Sequence, residues 1–222
     1  MLIFLLTILI GWISGLFKFI RKRPNFKIEV IDGMTFGCTI DLNKTYEGFP
    51  VHKTAFSIYL KITNTGNAAS SIGDIYLGYK RNDLSPSWRQ KWNWIRETIS
   101  KSDFLMNFED SEQVKGFPFL KQKNRFFEND TNLYLEVGKS VNGISYFEEQ
   151  EAFGSWMPRP NKDQLSTDIK LKILDAFGRK HRQKLRIKLI DSNEALKTNP
   201  YFGQTYKEYF ITKTTAVKDP TD

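Results

Sequence analysis

The chain of 222 residues carries a formal charge of +8, one cysteine and two histidines. A lone thiol excludes an internal disulfide, and so few His and Cys residues exclude the usual His/Cys zinc clusters. Four of the positive charges and none of the negative ones fall in residues 1–23, which leaves 29 positive against 25 negative over the remainder, short of what a dedicated nucleic-acid binder carries.

Residues Leu2 to Ile20 form an almost unbroken apolar run, followed at once by Arg21-Lys22-Arg23. About 18 apolar residues rising roughly 1.5 Å each match a bilayer core of about 30 Å, which predicts a single-pass transmembrane helix. No Lys or Arg precedes the run and no A-x-A-like site ends it, so the reading is an uncleaved anchor. Lys18, Arg21, Lys22 and Arg23 lie on its C-terminal side, which predicts a membrane protein whose remaining chain faces the cytoplasm. Cys38 as the sole cysteine agrees with a reducing compartment. Gly11 and Gly15 have the G-x-x-x-G spacing that would let two such helices form a homodimer. The expected organisation is an anchor and basic flank over 1–23, one domain over 24–211, and a disordered tail over 212–222.

After Pro24 the pattern changes to period two. Phe26, Ile28 and Val30 alternate with Lys27 and Glu29, Asp32-Gly33 turns the chain, and Met34 to Leu42 is predicted to return as the partner strand. Thr54 to Asn64 is the clearest strand, with Phe56, Ile58, Leu60 and Ile62 on one face, and Asn64-Thr65-Gly66-Asn67 is a turn. Ile72 to Tyr79 resumes the alternation, with a parity change near Gly73-Asp74 that predicts a bulge. A helical insertion is predicted over about 84–108, because Ser85-Pro86 can start a helix on which Trp88, Trp92, Ile95 and Ile99 share one face. That stripe, with Trp94 beside it, either covers an open end of the domain or lies in a membrane interface.

Shorter strands are expected over Phe117 to Gln122, Leu133 to Val137 and Val141 to Glu148. A long hairpin closes the domain: Ile169, Leu171 and Ile173 alternate with Lys170 and Lys172, Asp175-Ala176-Phe177-Gly178 turns, and Leu185 and Ile187 alternate with Arg182, Lys184, Arg186 and Lys188. The six cations should project from one side, with Asp168 among them. Ser192 to Lys197 reads as a short helix.

Ile62-Thr63-Asn64-Thr65-Gly66-Asn67, followed by Ile72 and Ile75, resembles a strand–turn–strand element of immunoglobulin-like β-sandwich domains of bacterial membrane-anchored proteins. Asp175-Ala176-Phe177-Gly178-Arg179 is similar to their closing hairpin. The resemblance implies an all-β, antiparallel immunoglobulin-like sandwich and carries no activity or site with it.

No nucleotide-binding glycine motif, nucleophile elbow or metal-ligand spacing occurs, so no cofactor, metal or catalytic residue is expected. The leading expectation is a non-enzymatic, membrane-anchored interaction module that binds a protein partner or the membrane surface. One alternative is a hydrolase assembled from His52, His181 and the Glu148–Glu151 loop. Another is a nucleic-acid sensor using the basic hairpin, which ranks low because the hairpin brings only Phe177, whereas strand binding needs exposed stacking aromatics.

Overall fold

A computed structural model of the chain describes residues 1–13, 22–82, 92–98, 100, 102–107, 114–121 and 133–204. Helix α1 spans Leu2–Ile13. Among the described residues twelve strands follow: β1 Phe26–Val30, β2 Phe36–Tyr46, β3 Phe49–Asn64, β4 Ser70–Lys80, β5 Trp92–Thr98, β6 Phe104–Asn107, β7 Val114–Phe117, β8 Tyr134–Leu135, β9 Ser140–Glu148, β10 Ala152–Phe153, β11 Ser166–Asp175 and β12 Lys180–Leu189. Helix α2, Ser192–Thr198, ends the series, capped by the Asp191 carboxylate on Glu194 N–H.

Seven of the strands close on themselves in the order β3-β2-β12-β11-β4-β5-β9 and back to β3. This closed barrel replaces the expected immunoglobulin-like sandwich. Local alternation is the same in both architectures, and what distinguishes them is a pairing between residues far apart in the chain. Here that pairing is β3 with β9, from Ala55↔Glu148 to Thr63↔Ser140. The 16-residue β3 is the hub: one edge takes β2 along 49–57 and then β1 along 60–64, and the other takes β10 and β9. The predicted partnership of Met34–Leu42 with β1 is therefore corrected, since β2 pairs with β3 and, in parallel over two residues, with β12.

Both faces of β3 are covered. Phe56, Ile58, Leu60 and Ile62 enter the barrel interior with Ile75, Leu77, Phe147, Ile169, Leu171 and Ile173. The other face carries Ala55, which joins Met34, Phe36, Cys38, Ile144 and Tyr146 in a second core roofed by Phe104 of β6, Phe117, Phe119, Ala195 and Phe202. Buried apolar area at about 25 cal/mol per Å² makes these two layers the main stabilising element. The Asn64–Asn67 turn forms as expected, with Asn64 Oδ1 accepting from Gly66 N–H and its Nδ2 donating to Ala68 and Leu135 carbonyls. The bulge near Gly73-Asp74 is also present, as a register shift of β4 against β11.

Two further expectations are corrected. The described part of helix α1 has 12 residues, roughly 18 Å of rise against a core of about 30 Å, and no helix among the described residues is long and apolar enough to cross a membrane. The single-pass anchor, and the membrane localisation and topology built on it, are not supported. Lys18, Arg21 and Gly15 lie outside the described residues, as do the tail 212–222 and Trp88. Arg23 is instead tied to the Asn64–Asn67 turn, its N–H donating to Asn67 Oδ1 at 2.7 Å and its carbonyl accepting from Asn67 N–H at 3.0 Å. The second correction concerns the helical insertion. Residues 92–98 form strand β5, paired with β4 and β9, and residues 104–107 form β6.

Candidate functional site

The register of four neighbouring strands assembles one outward face. Because Ile169, Leu171 and Ile173 point into the barrel, Lys170 and Lys172 point out, as period two requires. Across β5, β4, β11 and β12 one row reads Trp94, Gly78, Lys170, Lys184 and the next reads Arg96, Tyr76, Lys172, Arg182. Lys80 and Trp92 sit opposite each other at the rim. The predicted basic residues Lys170, Lys172, Arg182, Lys184 and Arg186 thus share a face, and Trp92 and Trp94 lie beside them. Lys188 stands further along β12, 3.6 Å from Glu194.

Cations and rings interleave closely. Lys170 Nζ is 4.3 Å from the Trp92 centroid, and Lys172 Nζ is 4.1 Å from Tyr76 and 4.6 Å from Trp94, within cation–π range. Gly78 makes the flat spot on which the Trp94 indole rests: a Cβ there would lie 3.0 Å from the ring. Trp94 remains 36% exposed.

Asp168 is the carboxylate set among these cations. It takes Lys184 at 3.0 Å and Arg186 at 3.4 Å, and those partners, Lys184 first, hold its carboxyl below the usual range. Arg96 pairs with Asp74 at 2.6 Å. Lys170, Lys172 and Arg182 have no carboxylate partner among the described residues. Partial desolvation, and then the charges of Lys180 and Arg182, push the Lys172 ammonium below its ordinary value.

At the rim the face runs into a groove of about 590 Å³ bordered by Lys80, Trp92, Arg159, Asn161, Lys162 and Lys184. Beneath it the barrel interior turns polar. The Tyr79 hydroxyl donates to Glu149 Oε2, and Asn93 Nδ2 reaches Tyr79 Oη at 2.9 Å and Glu149 Oε1 at 2.5 Å. Burial raises the Glu149 carboxyl, while the Tyr79 and Asn93 hydrogen bonds and the His52 charge act against it. Burial and the Glu149 charge push the Tyr79 hydroxyl up. This clamp has a positional effect: Asn93 lies between Trp92 and Trp94, and Tyr79 between Gly78 and Lys80, so fixing the inward residues fixes which way the outward ones face.

The residues of the hydrolase alternative do not all converge: His52 lies near enough to Glu149 to act on its carboxyl, but His181 is at the other end of β3. Glu148 forms a buried pair with Lys53 at 2.6 Å, Glu149 belongs to the Tyr79 clamp, and Glu151 reaches Lys44 at 3.2 Å. His52 is buried at the start of β3, with Nε2 unpaired among the described residues. His181 accepts from Phe26 N–H through Nδ1 and meets Asp175 through Nε2 at 3.1 Å, beside the far end of β3 where Phe26 pairs with Asn64. Among the described residues no three His, Cys, Asp or Glu side chains are grouped to hold a metal. Sequence reasoning missed Tyr76, Lys80, Arg159 and Lys162. The available signal was the i, i+2 spacing of Trp92 and Trp94, which the helical reading of 84–108 absorbed.

The fold and the site define the molecule as a closed seven-stranded barrel with a basic, aromatic outer face. Compared with known protein families and with curated proteins, the chain matches none.

Proposed function

We propose that the outer face of β4, β5, β11 and β12 binds single-stranded nucleic acid, with the phosphate backbone along the Lys170/Lys184 and Lys172/Arg182 rows and bases against Trp92, Trp94 and Tyr76. The observation that carries this reading is the interleaving of rings, Trp94 exposed and Trp92 and Tyr76 half-buried, with cations that lack carboxylate partners among the described residues. A solvated lysine face needs no tryptophans, and an apolar protein-docking patch would not be lined with ammonium groups. Stacking rings on a positive groove are what sequence-tolerant strand binding uses. This reading takes up the nucleic-acid alternative in place of the expected protein or membrane partner.

Titrating the protein with a thymidine oligonucleotide of about 20 nucleotides tests it. Intrinsic tryptophan fluorescence should be quenched on binding. Trp92→Ala and Trp94→Ala should each weaken affinity by about 1–3 kcal/mol. Equal affinity for wild type and both variants, at unchanged thermal stability, would refute stacking. So would duplex of the same length binding more tightly than the strand.

A further inference from the structure

We infer that the rim groove seats a phosphate monoester at a strand end, an assignment that rests on the strand-binding reading of the adjoining face. The groove has the volume of a single-ligand site, at about 590 Å³. Four cations border it, Lys80, Arg159, Lys162 and Lys184, against one carboxylate, Asp168. That carboxylate is already met by Lys184 and Arg186. Arg159 and Lys162 have no carboxylate partner among the described residues, so the groove holds more positive charge than a diester's single negative charge would match. A phosphate monoester carries about −1.5 to −2 at pH 7, and the planar guanidinium of Arg159 suits two of its oxygens at once.

The wall that presents these cations is built rather than loose. Arg159 N–H donates to the Lys80 carbonyl at 2.9 Å, and Asn161 N–H donates to Ser166 O at 2.7 Å. The Asp163 carboxylate accepts from Leu165 N–H and Ser166 N–H, both at 3.0 Å, and from the Ser166 hydroxyl at 2.7 Å. Pro160 bridges to Thr167 of β11. Trp92 borders both the groove and the face, as does Lys184. A terminal base can therefore stack on Trp92 while its phosphate reaches Arg159 and Lys162, and the remaining strand runs onto the lysine rows.

The test uses the full chain and one thymidine oligonucleotide sequence in three forms, with a 5′-phosphate, with a 3′-phosphate, and with hydroxyls at both ends, followed by fluorescence anisotropy at fixed salt. One phosphorylated end should bind at least about tenfold more tightly than the hydroxyl form. The double variant Arg159→Ala/Lys162→Ala should abolish that preference, read as the ratio of phosphorylated to hydroxyl affinity within the variant. Equal binding of all three forms would overturn the inference and leave the strand-binding face standing. Failure of any strand to bind would overturn both. Thymidine monophosphate binding as tightly as the phosphorylated strand would assign the groove to a free nucleotide and overturn the strand-end assignment.

Discussion

Gly78 decides the shape of the outer face, because the Trp94 indole lies on it and a Cβ would come within 3.0 Å of the ring. Gly78→Val should lift Trp94 off the sheet, change the tryptophan emission, and weaken oligonucleotide binding severalfold without unfolding the barrel. An unchanged emission spectrum would show that Trp94 does not depend on that contact. On the inner side, Glu97 faces the barrel interior, and burial raises its carboxyl from 4.5 to about 7, with Lys121 at 3.8 Å pulling the other way. The folded state therefore holds a proton that the unfolded chain has released between those values, so stability falls as pH rises through that window. The full penalty is on the order of 3 kcal/mol. Glu97→Gln removes it, so its gain in thermal stability should be larger at pH 8 than at pH 4.5; an equal gain at both would contradict the assignment. Cys38 is buried, and burial together with Asp191 pushes its thiol to about 12, which makes it a core side chain rather than a nucleophile.

At the scale of elements, β11 and β12 were fully legible, since apolar-in, cationic-out alternation is the plain signature of a half-buried strand. Their register is secured at the turn, where the buried Asp175 carboxylate accepts from Phe177 and Arg179 N–H at 2.9 Å each and meets His181. Asp175→Ala should cost about 2–4 kcal/mol in chemical denaturation, because it leaves those donors without their acceptor. A loss under 0.5 kcal/mol would mean the turn holds itself. The strand β5 was not legible, for a physical reason. Its outward residues are Trp92, Trp94 and Arg96, while Asn93, Ile95 and Glu97 point inward, so only Ile95 and Arg96 follow the apolar-in, polar-out pattern. The inward polar group Asn93 is tolerated because it bonds to Tyr79 of the neighbouring β4 and to Glu149, 56 residues away and just past β9. With that alternation hidden, the Trp88/Trp92/Ile95/Ile99 spacing read as a helix.

Across the whole molecule, most of the longer strands could be read, but their order round the barrel and its closure could not. The Ala55–Thr63 pairing with Ser140–Glu148 joins segments about 85 residues apart, and no local pattern encodes it. The apolar run at the N-terminus likewise describes hydropathy, and among the described residues no helix is long and apolar enough to cross a membrane. Strand β4 pairs with both β5 and β11, bringing two tryptophans to a lysine hairpin more than 70 residues away. That juxtaposition of rings and cations is the feature on which the proposed strand binding rests, and hairpin sequence alone did not display it.

The most direct test is the salt dependence of single-strand binding, measured by anisotropy of a labelled thymidine oligonucleotide for wild type and for the triple variant Lys170→Glu/Lys172→Glu/Arg182→Glu. Wild type should show log affinity falling linearly with log salt at a slope of about −2 to −3, the value for three or four neutralised phosphates at about −0.7 each. The variant, folded by circular dichroism, should lose at least about 30-fold in affinity and flatten the slope by about two. Equal affinity and slope for the two proteins would contradict binding on this face.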